Sequence, residues 1–390
     1  MKNCLPLIIV LFLVCSGCRS ASAPSQLPAS SDATPVAQVG DPAGGNTPAT
    51  ETKYFKGSIG SSLDLHMKLV RTGNQLSGSY FYQKVGTRID LRGRVDKEGN
   101  LTLEEFDPDG KQTGVFKGIW KLDAENGLVS LAGNWSKPAG EAGSERKTAF
   151  SVHEEPISFS AADVDLVTKQ IKENNKKLNY EVNAQYPQLT GGANPNFEKF
   201  NQAARSLVVK RVAGFRREMT SEEEDIPKPE GSGGSELGIS YKVTLAQDDL
   251  VSVEFLVYSY HAGAAHPNSF TETLNYDLKN GKQLKLSDLF KPGAKYLSTL
   301  AAYSIADLKK QMKEKSPDGS VDSRWIEEGA GPSAKNYESW TIRKKGLDIN
   351  FDPYQVGPYA AGPHVVTVPY STLKDLINPD GPIAQFAKGL

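Results

Sequence analysis

Between residues 53 and 152 apolar and polar side chains alternate in short runs, and a turn signal breaks the pattern roughly every ten residues. Leu63, Leu65, Met67 and Leu69 are interleaved with Asp64, His66 and Lys68. Such a period of two predicts a strand with one buried face. Gln75 to Lys84 continues the pattern with Tyr80 and Tyr82 on one face, and Arg88 to Asp96 does so through Ile89, Leu91 and Val95. Val115, Phe116, Ile119 and Trp120 mark another strand; Leu128, Val129, Leu131 and Trp135 mark the next. Turns are expected at Thr72-Gly73-Asn74, Glu98-Gly99-Asn100, Pro108-Asp109-Gly110 and Glu125-Asn126-Gly127. About eight short strands in sequence order predict a meander that closes into a barrel or folds into a two-sheet sandwich. Gly78, Gly93, Gly114, Gly118 and Gly133 fall inside strands, where bends or bulges are expected. A barrel of this size either holds a small apolar ligand or fills with its own side chains. His66 lies on the polar face of its strand and is expected in solvent. His153, in a linker His153-Glu154-Glu155-Pro156, is expected to be exposed as well.

The N-terminus sets the compartment. Lys2 precedes a ten-residue apolar run, Leu5 to Val14, too short for a stable membrane anchor. Cys15-Ser16-Gly17-Cys18 then resembles the lipobox of a bacterial lipoprotein signal, with Cys15 where Leu is usual. The resemblance implies removal of residues 1–17 and a lipid on Cys18; the alternative is an ordinary cleaved signal peptide. The protein is thus expected in the cell envelope, outside the cytoplasm. The three cysteines all lie in this segment, so the folded part has no disulfide or thiol chemistry. Residues 19–52 are rich in Ser, Ala, Pro, Thr and Gly and read, with Cys18, as a flexible tether over 18–52. Its reach is on the order of 30 Å. Lys and Arg number 45 against 46 Asp and Glu, a balance that points away from nucleic acid as a partner.

From residue 157 to the end the pattern changes to α+β: an antiparallel sheet with helices on one face. Ser160 to Asp163 is a candidate helix cap, and Val182 to Tyr186 a strand ended by Pro187. Phe197, Phe200, Ala204, Leu207, Val208, Val212 and Phe215 recur at three- and four-residue steps and predict an amphipathic helix starting at Asn194-Pro195-Asn196. Arg205, Lys210, Arg211, Arg216 and Arg217 fall mostly on its outer face, read as solvated or as a contact for an acidic partner. The run Glu222 to Asp225 lacks the alternation and Gly turn of a Ca²⁺ loop. Ile239–Leu245 and Leu250–Tyr260 form a hairpin, followed by strands at Phe270–Asp277 and from Lys282. Leu297, Leu300, Ala301, Ile305 and Leu308 predict a second helix ending near Lys315. Trp325 lies in a connection, Trp340 to Phe351 leads into a strand, and Ser371–Ile377 closes as a short helix.

Two loops carry the polar features. In Phe351 to Tyr370, Pro353, Pro358 and Pro363 fix φ at five-residue steps, with Tyr354 and Tyr359 between them. Val365, Val366 and Val368 then read as a buried strand stopped by Pro369. The other loop is His261-Ala-Gly-Ala-Ala-His266-Pro267-Asn268. His261 and His266, with His364 if the chain returns nearby, have three readings: a metal site, a hydrogen-bonded structural cluster, or surface recognition. The spacing matches no strong zinc signature. There is no Gly-x-Ser-x-Gly elbow, His-Glu-x-x-His helix or phosphate loop. No catalytic residue, metal ligand or cofactor is therefore assigned. A carboxylate pair for glycoside cleavage needs no local motif and stays open.

The His261–Asn268 loop, Asn275-Tyr-Asp-Leu278, Gly281, Leu286-Ser-Asp-Leu-Phe290, Tyr354 to Pro363 and Val368-Pro-Tyr370 together resemble the RsiV-like domain family. A PdaC-type segment lies upstream around Asn179 to Tyr260, so the resemblance covers roughly residues 160–378. It implies a binding or sensing module: one member is a lysozyme-binding anti-sigma factor ectodomain, and another sits beside a separate deacetylase domain. This sequence has neither that catalytic domain nor a membrane-spanning run. The expected function is a non-catalytic, lipid-anchored envelope protein that recognises lysozyme or a cell-wall glycan. Its candidate contact residues are His261, His266, Pro267, Asn268, Tyr354, Tyr359 and His364. The alternatives are a peptidoglycan-modifying hydrolase and a carrier of an apolar ligand in the β-domain.

Overall fold

The computed structural model describes residues 50–388, apart from 83–87, 125–126, 144–145, 162, 222–232 and 316–320. Cys18, the signal segment 1–17 and the acidic run Glu222 to Asp225 lie outside the described residues, as do most of the tether and of the Glu125–Gly127 turn, and the Tyr82 side chain. The first strand begins at Thr50, three residues inside the expected tether 18–52.

Eight antiparallel strands close into a barrel. They are β1 (Thr50–Ile59), β2 (Leu63–Thr72), β3 (Gln75–Tyr82), β4 (Arg88–Val95), β5 (Asn100–Phe106), β6 (Gln112–Leu122), β7 (Val129–Ser136) and β8 (Thr148–Glu155). Closure of β8 onto β1 removes both free edges. The barrel and its alternation follow the sequence expectation. Two glycines show why they sit inside strands. Gly118 faces Gly133, and a Cβ on Gly133 would meet the Lys117 carbonyl oxygen at 2.2 Å and the Gly118 Cα at 2.4 Å. Tyr80, Phe116 and Phe150 fill the interior through successive edge-to-face contacts at 5.7 and 5.1 Å. Glu105 is buried among them with all its needs met. It accepts from the Tyr80 hydroxyl at 2.7 Å, Trp135 Nε1 at 2.8 Å and the Thr113 hydroxyl at 2.7 Å.

The second part is built on a seven-stranded sheet in the order β10-β11-β12-β13-β14-β15, with β9 added beside β12. Its strands are β9 (Ile157–Ser158), β10 (Asp165–Asn175), β11 (Tyr180–Thr190), β12 (Ser235–Gln247), β13 (Leu250–Tyr260), β14 (Asn268–Asp277) and β15 (Lys282–Gln283). The sheet is antiparallel, as expected, except at β12, with which β11 and β9 both pair parallel. The long helix α1 (Asn196–Ser221) is the crossover that makes the first parallel pair possible. Its stripe Phe197, Phe200, Ala204, Val208, Val212, Phe215 is buried in the sheet's core, as its spacing predicts. Pro187 does not end its strand. It pairs with Thr168 in β10, beyond the last residue of β11 that pairs with β12, so its missing N–H is not needed on that side. Ser160 to Asp163 forms no helix among its described residues; the Ser160 hydroxyl and N–H instead hold the Asp248 carboxylate.

The C-terminal third adds a three-stranded sheet, β16 (Trp340–Ile342), β17 (Gly346–Phe351) and β18 (His364–Pro369), with helices α2 (Tyr296–Lys315), α3 (Ser323–Gly329), α4 (Tyr370–Leu373) and α5 (Ala384–Ala387). Trp325, expected in a connection, lies in α3, whose first turn the Asp322 carboxylate caps. Val365 is 45% exposed, so only Val366 and Val368 bury their side chains in β18. Polar groups weld the two sheets: Ser252 Oγ donates to Asn275 Oδ1 at 2.6 Å, Asn275 Nδ2 donates to Trp340 O at 2.8 Å, and Ile342 N donates to Ser252 Oγ at 2.8 Å.

The barrel packs directly on the large sheet. Tyr54 lies in that sheet's core and donates to the Val164 carbonyl at 2.9 Å. His66 is corrected from solvated to buried, 7% exposed, because β10 and β12 cover the outer wall of the barrel there. Its Nε2 lies 3.0 Å from Thr168 Oγ1, which is 2.5 Å from the Tyr241 hydroxyl. Burial first, and the Lys56 ammonium second, push the imidazole pKa down to about 3. Burial pushes the neighbouring Glu155 carboxyl up against the attraction of Lys56. His153 is exposed as expected, but on β8 and not in a linker.

Candidate functional site

The 351–363 loop is rigid for the reasons its prolines give, and it holds one residue in an unusual backbone state. Tyr354 has φ 70, a left-handed conformation rare outside glycine and asparagine. Trp325 Nε1 donates to its carbonyl at 3.1 Å and Gln355 N donates to Asp352 O at 3.0 Å, which pins the turn. The outcome is a Tyr354 ring presented 54% exposed.

Two of the loops expected to meet do so. The His266 ring stacks on Tyr359 with centroids 4.2 Å apart, and the Tyr354 ring, tilted, lies 5.5 Å from Tyr359. One carbonyl fixes the stacked pair. The Pro267 oxygen accepts from the Tyr359 hydroxyl at 3.0 Å and from His266 Nδ1 at 2.8 Å. A carbonyl only accepts, so Nδ1 carries the hydrogen and Nε2 of a neutral His266 is left as an acceptor.

The three histidines do not gather. His261 turns the other way, towards α1, with Phe215 at 5.8 Å and Glu218 Oε2 at 3.5 Å from its Nε2. His364 is buried in β18 opposite Phe351, and burial, then Lys315, lowers its pKa. Among the described residues no cluster of three or more His, Cys, Asp or Glu is arranged to hold a metal ion. His261, His266 and Asn268 instead line one hollow of about 610 Å³.

Beside that hollow lies a second, of about 650 Å³, between α1, β14 and the segment 335–355. Lys210, Arg211 and Phe270 line both. Arg211 forms the saddle between them: its guanidinium lies 4.8 Å from the Phe270 ring centre, and its Nε donates to Glu272 at 2.7 Å. Arg216 likewise holds Glu173 of β10. Two of the basic side chains expected on a solvated face therefore brace α1 against the sheet. Their acidic partners are 61 and 43 residues away in sequence, which no local pattern exposes. On the floor of the second hollow, Asp352 accepts from Thr271 N at 2.8 Å, while burial pushes its carboxyl above the usual carboxylate range.

Among the described residues no helix is long and apolar enough to cross a membrane. Residues 171–269 match the family described as deacetylase PdaC, and residues 287–371 match DUF3298, a family described as of unknown function. A DUF3298-family structure from Bacteroides fragilis is 21% identical with a TM-score of 0.41, covering 58% of this chain and 98% of that one. Another from Pseudomonas aeruginosa is 17% identical with a TM-score of 0.39, covering 56% and 96%. The peptidoglycan-N-acetylmuramic acid deacetylase PdaC of Bacillus subtilis is 29% identical over 202 residues, 52% of this chain. The match spans 39% of that relative's length, so the likeness is to a PdaC-type segment followed by a DUF3298 segment.

Proposed function

We propose that the protein is a lipid-anchored binding protein of the bacterial cell envelope, held through Cys18, that recognises cell-wall glycan without turning it over. The observation that carries this reading is the aromatic cluster of His266, Tyr359 and Tyr354, with His266 and Tyr354 exposed and Tyr359 half-buried between loops, beside the hollow that His266 shares with Lys210 and Arg211. Sugar rings offer apolar C–H faces to aromatic rings and hydroxyls to acceptors such as His266 Nε2. The carboxylates of peptidoglycan suit the basic rim. The PdaC relative's name, a deacetylase of peptidoglycan N-acetylmuramic acid, supports the same material as ligand. The test is cosedimentation of the full chain with insoluble peptidoglycan. Retention of the parent protein, and its loss in a Tyr354→Ala/Tyr359→Ala variant, is the expected result. If immobilised protein captures lysozyme while peptidoglycan is not retained, the ligand is the protein and not the glycan. Fatty-acid labelling that persists in Cys18→Ser would overturn the anchor.

One observation favours a second reading, a wall-modifying hydrolase. Asp352, its carboxyl raised by burial, shares its hollow with Glu272 and Glu338, and glycoside cleavage needs two carboxyl groups in unlike environments facing one space. Release of reducing ends from peptidoglycan by the full chain, lost in Asp352→Asn, would make this reading the correct one.

A further inference from the structure

The polar groups of the second hollow divide into two sets. Gln355 spends its amide on Gly329 O and Asn336 O, each at 3.1 Å, and Asn336 spends its own on Glu328 O and Gly331 O. These build the wall. Lys210, Ser206, Gln283, Lys335 and Glu338 line the same space with no side-chain partner among the described residues. A hollow with a bonded wall and a ring of unspent donors and acceptors is suited to a hydroxyl-rich ligand. It does not stand alone. Helix α1 lines the two hollows continuously from Ala203 to Glu218, a length of about 22 Å at the helical rise. The saddle between them is a ring capped by a guanidinium, which offers a flat apolar and cationic surface rather than a barrier.

We infer that both hollows form one trough, and that a single glycan strand lies along α1 from the His266–Tyr359 pair, over Phe270 and Arg211, into the hollow of Lys335 and Glu338. This rests on the glycan reading above and adds to it that the protein selects for strand length. Peptide-free glycan strands cut from peptidoglycan and fractionated as di-, tetra- and hexasaccharides are titrated against the full chain by calorimetry. Affinity is expected to rise about tenfold or more from di- to hexasaccharide, the gain from engaging a second set of hydrogen bonds. Glu338→Lys with Lys335→Glu, both on exposed side chains, should lower hexasaccharide affinity while leaving the disaccharide unchanged. Tyr359→Ala should weaken both. Equal affinities for all lengths, or a Lys335/Glu338 double variant that binds hexasaccharide like the parent, overturn the trough and leave the glycan reading standing. Binding of no fraction, and of no whole peptidoglycan, removes both.

Discussion

Lowering the pH tests the junction between barrel and sheet through His66. The folded imidazole titrates near pH 3, while in the unfolded chain it titrates near its ordinary value of about 6.5. Below that value the unfolded state binds a proton that the folded state refuses, so stability falls as pH falls. The slope approaches about 1.4 kcal/mol per pH unit, and between pH 7 and pH 5 the loss is about 2 kcal/mol. Glu155 acts in the opposite sense, because its raised folded pKa lets the folded state bind a proton first as pH falls. Comparing the parent with His66→Gln separates the two. The folded imidazole is uncharged in this range, so a neutral glutamine leaves the field at Glu155 unchanged and still reaches Thr168. Urea unfolding followed by tryptophan fluorescence at pH 7, 6 and 5 gives the stability of each protein. The parent should lose about 2 kcal/mol more than the variant over that range. Equal pH dependence in the two proteins would show that His66 is not buried in the neutral form, and the account of the junction would fail with it.

Three further outcomes follow from the same packing. Tyr354→Gly should raise stability by about 0.5–1 kcal/mol by relieving the left-handed backbone, and should weaken retention on peptidoglycan; a lower melting temperature would contradict the strain. Glu105→Ala leaves the Tyr80, Trp135 and Thr113 donors without their acceptor and should cost about 3–5 kcal/mol in urea unfolding; Glu105→Gln, which keeps an acceptor oxygen, should cost less. Gly133→Ala should cost about 2 kcal/mol or more, because the methyl meets backbone of the facing strand, and an unchanged melting temperature would refute the close approach.

The barrel was legible because most of its strands have one dry face, so the period of two is written into the chain; β1 and β2 depart from it where the large sheet covers Tyr54 and His66. Helix α1 was legible for the matching reason, an apolar stripe at three- and four-residue steps. Strand β10 was not. It lies at the sheet's edge with Leu166 its one fully buried residue, and Lys169, Gln170, Lys172 and Glu173 leave no alternation to read. The seven residues of α3 are too few for a helical period to emerge. At the candidate site the prolines and tyrosines point to a stiff aromatic loop, and the structure stacks His266 on its Tyr359. His364 was not separable from the others by sequence, because its burial comes from β18 pairing with Phe351. The Arg211–Phe270 saddle and the buried His66 depend on neighbours distant in sequence, so tertiary structure alone reveals them.

The passage from barrel to sheet has a mechanical consequence. Strand β8 ends at Glu155, β9 begins at Ile157, and the single residue between them, Pro156, accepts a hydrogen bond from Ala246 N at 2.9 Å. No hinge separates the halves. Heating should produce one calorimetric peak whose van't Hoff and calorimetric enthalpies agree, the mark of a single cooperative unit. A load applied to the barrel at β1 would then be felt by the sheet without slack.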